Sequence, residues 1–149
     1  MMTYSMISKE NSKKFAEVFT PAGTVFEMLI PNFNDLLRDP DKTIFDPAVG
    51  EGQFPCAELV LKLFFNVERL DEELALRALK SLYGMDIQAT SVVKARNHLI
   101  ATLQDAFRFF TGNEFTRLDE ARAIVEQNIM VGDSLKAMQK WAEPQQSLF

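Results

Sequence analysis

Three aspartates, Asp46, Asp86 and Asp133, each close a short apolar run, and the first is followed by Gly50 and Gly52. A carboxylate accepts hydrogen bonds from ammonium and hydroxyl groups and repels phosphate. Glycines in a turn can take positive φ and let backbone N–H groups approach an anion where a helix begins. The stretch Thr43-Ile44-Phe45-Asp46-Pro47-Ala48-Val49-Gly50-Glu51-Gly52-Gln53-Phe54 therefore reads as a buried strand, an acidic strand end, a glycine turn and a helix start. Those parts make a pocket for a small molecule. A glycine turn that only joins strand to helix has the same local form, and each aspartate taken singly could be a surface acid or a helix cap. Three of them at successive strand ends favour a site.

The elements that must hold these residues follow from hydrophobic periodicity. Thr43, Ile44 and Phe45 supply the β-branched and aromatic content of a first strand, and a helical pattern runs from Gln53 through Ala57, Leu59, Val60 and Leu63 to Phe65. Asp71-Glu72-Glu73 puts three acids at the favoured end of another helix, expected to run to about Leu82. Tyr83 to Ile87 is a short run holding Asp86 and reads as a second, parallel strand. Val92, Leu99, Leu103 and Phe107 recur at helical spacing, Gly112-Asn113 breaks the chain, and Leu118 to Glu126 is a further helix. Ile129 to Val131 is the third strand, followed by a short helix over Leu135 to Trp141. Upstream, 8–19 is a short helix with Phe15, Val18 and Phe19 on one face. Pro21 ends it, and Val25, Phe26, Met28 and Leu29 lie on a second helix interrupted by Pro31. Leu36-Leu37 is a short apolar turn, and Asp39-Pro40-Asp41 a surface turn. The expected fold class is α/β, a Rossmann-like half-sheet of three parallel strands in the order 3-2-1 with N-terminal helices. Ligands of such sheets bind at the carboxyl ends of the strands.

Pro55 stands where a dinucleotide fingerprint has its third glycine, and no Gly-Lys-Ser/Thr follows to make a P-loop. What remains, Asp-Pro-x-x-Gly-x-Gly-x-Phe from Asp46 to Phe54, resembles motif I of the N6-adenine DNA methyltransferases, which bind S-adenosylmethionine. Phe19-Thr20-Pro21 resembles their motif X, Tyr83-Gly84-Met85-Asp86-Ile87 their motif II, and Asn128-Ile129-Met130-Val131-Gly132-Asp133-Ser134-Leu135 their motif III. The four stand in family order. The resemblance implies that Asp46, next to Pro47, takes the methionine ammonium and that the Gly50–Gly52 turn takes the methionine carboxylate. It implies that Asp86 accepts from the ribose hydroxyls, that Ile87 packs on the adenine and that Asp133 accepts the adenine N6 hydrogen. Phe19 and Phe54 would help to enclose the ligand, with Thr20 near its methionine end. The chain would then divide into an N-terminal helical segment (1–42), an S-adenosylmethionine-binding domain (43–141) and an exposed tail (142–149). The family's catalytic Asp/Asn/Ser-Pro-Pro-Tyr/Phe motif occurs nowhere in the 149 residues.

Composition bounds what such a domain does. A chain of 149 residues buries about 68–70% of its unfolded surface in a single core. No uninterrupted apolar run approaches the ~20 residues of a membrane span, and the N-terminus carries no secretory pattern. Cys56 is the only cysteine, which excludes an internal disulfide and suits a cytoplasmic protein. It reads as a small core residue, with a helix start near enough to activate a thiol. His98 has no second histidine or cysteine partner, which argues against a metal. Phe107, Phe109 and Phe110 read as packing residues. Sixteen basic against twenty-one acidic residues give a net charge of −5, so contact with DNA is expected to be indirect.

The last five residues, Gln145-Gln146-Ser147-Leu148-Phe149, resemble the bacterial sliding-clamp binding peptide. Leu148 and Phe149 would fill an apolar pocket, with Gln145 fixing the register; a disordered or core-docked tail is the alternative. Two functional expectations follow from the resemblance. The first is an S-adenosylmethionine-binding, adenine-methyltransferase-like domain, either half of a split enzyme or a non-catalytic relative. It would work as a homodimer or with a partner chain that supplies missing strands. The second is an interaction protein of DNA-processing machinery that has kept the fold.

Overall fold

The computed structural model describes residues 34–137 and 139. Both expected helices upstream of residue 31, the Phe19-Thr20-Pro21 segment and the tail with Gln145, Leu148 and Phe149 lie outside them. The first described element is a short helix, α1 (Asn34–Arg38), followed by strand β1 (Ile44–Asp46) and helix α2 (Gln53–Phe65). A 3-10 turn at Val67–Arg69 leads to α3 (Glu72–Lys80), β2 (Leu82–Asp86), α4 (Ala89–Thr111), α5 (Leu118–Asn128) and β3 (Ile129–Val131). The three strands are parallel and form one sheet in the order β1-β2-β3. The protein is thus an α/β half-sheet, with β2 between two edge strands among the described residues.

Each crossover from one strand to the next is helical. Right-handed crossovers made twice in the same direction lay their helices on one face of a sheet. The side chains agree: Leu82 and Ile129 are fully buried on that face, in one core with Leu59, Leu63, Leu79, Leu99 and Leu103. Helix α2 carries apolar residues on nearly every side and is buried from Pro55 to Leu63. Its neighbour α4 approaches so closely that a Cβ on Gly52 would lie 3.1 Å from the Ala95 Cα.

Several boundaries differ from the sequence expectation. The Leu36-Leu37 turn is part of helix α1, whose Leu37 is fully buried. Helix α3 stops at Lys80 rather than near Leu82, because Leu82 pairs with Ile44 in the β1–β2 ladder and the Ser81 carbonyl accepts from the Ile44 N–H. Its start is capped by Asp71, which accepts from the Leu74 N–H at 2.8 Å.

The sharpest departure concerns Lys62, a wholly buried residue on α2. Its ammonium donates to the carbonyls of Asp39 (3.1 Å), Pro40 (3.3 Å) and Lys42 (2.6 Å) and to the Ser81 hydroxyl (2.8 Å). One turn on, the Asn66 amide donates to the Arg38 and Lys62 carbonyls. Together they hold the loop into β1 against the end of α3, where the Ile44 N–H reaches the Ser81 carbonyl and starts the β1–β2 pairing.

Replacing Lys62 by methionine keeps the stem and takes this donor from the Pro40 and Lys42 carbonyls, while the Asp39 carbonyl keeps the Lys42 N–H. A buried acceptor so stranded costs about 1–3 kcal/mol. Lys62→Met should therefore lower the urea midpoint by at least that much in unfolding free energy. Lys94→Met, which removes a mostly exposed partner of Glu51, should change it by less than about 1 kcal/mol. Equal midpoints for the two variants would show that the buried ammonium contributes nothing net.

Candidate functional site

The carboxyl ends of the three strands converge. After β1 the chain turns through Pro47 and Ala48, which are exposed, to Val49, which is buried. The Val49 N–H donates to the Met85 carbonyl at 3.0 Å, so this turn is clamped over the end of β2. The clamp needs Gly84, because a Cβ there would lie 2.7 Å from the Val49 Cγ2. On the other side, the Gly132 N–H donates to the Asp86 carbonyl at 2.9 Å and ties the end of β3 to that of β2.

Within this frame the expected site residues fall into two groups. Asp46, Gly50, Gly52 and Asp86 are brought together. Gly50 and Gly52 both have positive φ, 55° and 92°, so the turn depends on them. The Asp86 carboxylate bridges from the second strand to the first turn, accepting from the Gly50 N–H at 3.1 Å and from the Gln88 N–H at 2.9 Å. Gly52 caps α2 without a side-chain acceptor, and its N–H donates to the Val49 carbonyl. Both glycine N–H groups thus have internal partners here. The N–H groups of Gln53 and Phe54, in the first turn of α2, have no acceptor within the helix.

Asp46 accepts from the Ala48 N–H at 3.0 Å. Burial pushes its carboxyl pKa up; the Ala48 hydrogen bond opposes this and the nearby Asp86 charge adds to it. A cation placed between Asp46 and Asp86 would relieve that repulsion.

The second group stands at the rim. Phe54 is half-buried and packs against the core. Ile87 is 69% exposed, an apolar side chain with no cover beside the Asp86 carboxylate. Asp133 is exposed and accepts from the N–H groups of Leu135 and Lys136 at 3.0 and 3.3 Å, capping the helical turn over 134–137. One of its oxygens therefore serves as a helix cap. Phe19 and Thr20 lie outside the described residues.

Other sequence candidates resolve plainly. Cys56 is fully buried, and burial pushes its thiol up to about 12, so the nearby helix start does not activate it. His98 Nδ1 lies 2.7 Å from the Glu51 carbonyl and ties α4 to the glycine turn. Among the described residues no cluster of histidine, cysteine and carboxylate side chains suits a metal, and no helix is long and apolar enough to cross a membrane.

Glu58 was not foreseen. It is buried on α2 one turn before Lys62, and burial raises its carboxyl pKa to about 8, with Asp46 adding to the rise and Lys62 opposing it. Burial likewise draws Lys62 down to about 8, against the pull of Asp39, Glu58 and Asp41. The signal was available: a helix reading Gln-Phe-Pro-Cys-Ala-Glu-Leu-Val-Leu-Lys-Leu-Phe-Phe has no wet face on which two charges could sit.

No family model, curated protein or solved structure matches the chain.

The Glu58 carboxyl fixes a pH dependence. Its folded pKa, about 8, lies above its ordinary value of 4.5, so the stability it contributes is complete below about pH 4.5 and is lost as pH rises through 8. Glu58→Gln should abolish that decline. Thermal melts at pH 5 and pH 8 should differ by a few kcal/mol less in the variant than in the parent, and an unchanged difference would place the titration elsewhere.

Proposed function

We propose that the protein binds S-adenosylmethionine at the carboxyl edge of its sheet and is an adenine-methyltransferase-like domain. The observation that carries this reading is the joining of Asp86 to the Gly50 turn beside Asp46. Groups suited to a ribose diol, a carboxylate and an ammonium then lie around one crevice. Ile87, uncovered next to Asp86, suits the face of an adenine ring. Asp133 keeps a second carboxylate oxygen beyond its capping role and is assigned the adenine N6 hydrogen.

Methyl transfer to adenine also needs a loop that holds the flipped base in line with the sulfonium methyl. The motif that forms it in the resembled family is not in the sequence. We therefore assign these 149 residues the cofactor-binding part of such an enzyme, without methyl transfer of their own. Strand β1 is an edge among the described residues, with Phe45 exposed, and a partner chain bringing the missing loop would add its strands there.

Calorimetric titration with S-adenosylmethionine tests the assignment. The parent should bind, and Asp86→Ala should bind more weakly by about 1.5–3 kcal/mol, the range for hydrogen bonds to a charged group. Absence of heat with the parent protein would remove methyl-donor binding and favour the interaction-protein reading.

A second outcome follows from the missing loop. The purified chain should transfer no radiolabelled methyl group from S-adenosylmethionine to adenine-containing DNA. Transfer abolished by Asp46→Ala would overturn this and require another segment to do the chemistry.

A further inference from the structure

Six polar or charged residues are buried among those described, and five of them have hydrogen-bond partners. Lys62, Asn66, Ser81 and Asn128 meet backbone carbonyls, and Thr102 meets the Cys56 thiol. Glu58 is the exception. It is 7% exposed, and its carboxyl has no hydrogen-bond partner among the described residues. An ionised carboxylate left in this way is costly, whereas a neutral carboxylic acid costs far less. No described side-chain oxygen is both sealed from solvent and unpaired, so the Glu58 carboxyl reaches an opening.

That opening is the crevice. Phe54, Glu58 and Lys62 recur every four residues and share one face of α2. Lys62, at one end of this face, reaches the loop into β1, and Phe54, at the other, stands at the crevice rim, so the face runs along β1 with Glu58 midway. Side chains on a helix lean toward its N-terminus, which turns Glu58 toward the crevice. On the strand, Ile44 packs against the core, and Asp46, two residues on, points to the same side, toward α2. The Asp46 charge accordingly bears on Glu58. The other charges around α2 are engaged elsewhere. The Lys62 ammonium favours ionisation of Glu58 but is turned onto its own carbonyls, with Asp39 and Asp41 beyond it. Asp86 acts on Asp46 from β2, Arg38 of α1 lies over the Phe65 ring at the far end of α2, and Arg77 of α3 is held by Asp41. Helix α4 brings the neutral Ala95 and Thr102 against α2. Burial and Asp46 prevail, and Glu58, with its pKa near 8, carries its proton at neutral pH.

We propose that Glu58 is the proton-exchange group of the crevice: a ligand cation seated at Asp46 offsets the charge that keeps Glu58 neutral, and Glu58 gives its proton to solvent as the ligand binds. This rests on the assignment of an ammonium to Asp46 made above. One cation enters and one proton leaves, so the charge within the crevice is unchanged. The free protein holds a proton that the complex has lost, so affinity rises with pH up to about 8, where free Glu58 itself ionises.

Calorimetry with S-adenosylmethionine at pH 7, run in two buffers of different ionisation enthalpy, counts the protons released. Relative to Glu58→Gln, the parent should release about half a proton more per ligand and gain about fivefold more affinity between pH 6 and pH 8, as a shift of one unit at Glu58 requires. Equal proton counts from two proteins that both bind would overturn the inference and leave the cofactor assignment standing. No binding by the parent would remove both. Carbon-13 NMR of the Glu58 carboxyl reads the same coupling without ligand. Its titration midpoint should fall in Asp46→Asn, and an unmoved midpoint would equally overturn the inference.

Discussion

The Lys62 ammonium is the constraint on which the rest of the structure depends. A buried cation is tolerable only where donors and acceptors match, and Lys62 meets three carbonyls and a hydroxyl that belong to segments otherwise far apart in sequence. Those acceptors come from the loop into β1 and from the residue between α3 and β2. The side chain thereby fixes where β1 starts relative to β2, and the register Ile44↔Leu82 follows. A methionine of the same length could fill the space but could not orient three carbonyls. In a sheet whose strands have only three to five residues, the ladder alone is too short to specify its own alignment.

Register at the start of the strands becomes geometry at their ends. Because β1 and β2 are aligned, the turn after Asp46 lands where Val49 can clamp onto Met85, and the Gly50 N–H meets the Asp86 carboxylate. The absence of a Cβ at Gly84 and at Gly52 lets the turn lie on β2 and the start of α2 lie on α4. The candidate crevice is therefore built on backbone held from two sides, with His98 adding a third hold on the Glu51 carbonyl.

Much of this could be read in the sequence, for identifiable reasons. The bounds of α2 and β3 match because Gly52 and a dense apolar run mark the first, while a β-branched stretch after a helix marks the second. The end of α3 was overrun because Leu82 continues the helical spacing of Leu74, Ala78 and Leu79, while its pairing with Ile44, a residue 38 positions away, is what draws it into β2. Helix α1 has five residues, too few to show a period, and is fixed by tertiary contacts through Leu37 and Asn66. In the site, the strand-end positions of Asp46 and Asp86 were legible from pattern alone. The hydrogen bond between Asp86 and Gly50 was not, because it joins residues 36 apart through a register that Lys62 sets.

That same hydrogen bond makes the strand ends asymmetric toward anything that approaches them. The Asp86 carboxylate accepts one hydrogen bond at each oxygen, from Gly50 and from Gln88, and keeps lone pairs for a further donor, whereas the Gly50 N–H has a single hydrogen and has already given it. A hydroxyl can therefore join Asp86 without disturbing the turn, while an anion that takes the Gly50 N–H must draw it away from Asp86. The crevice is open to donors and guarded against anions at that point.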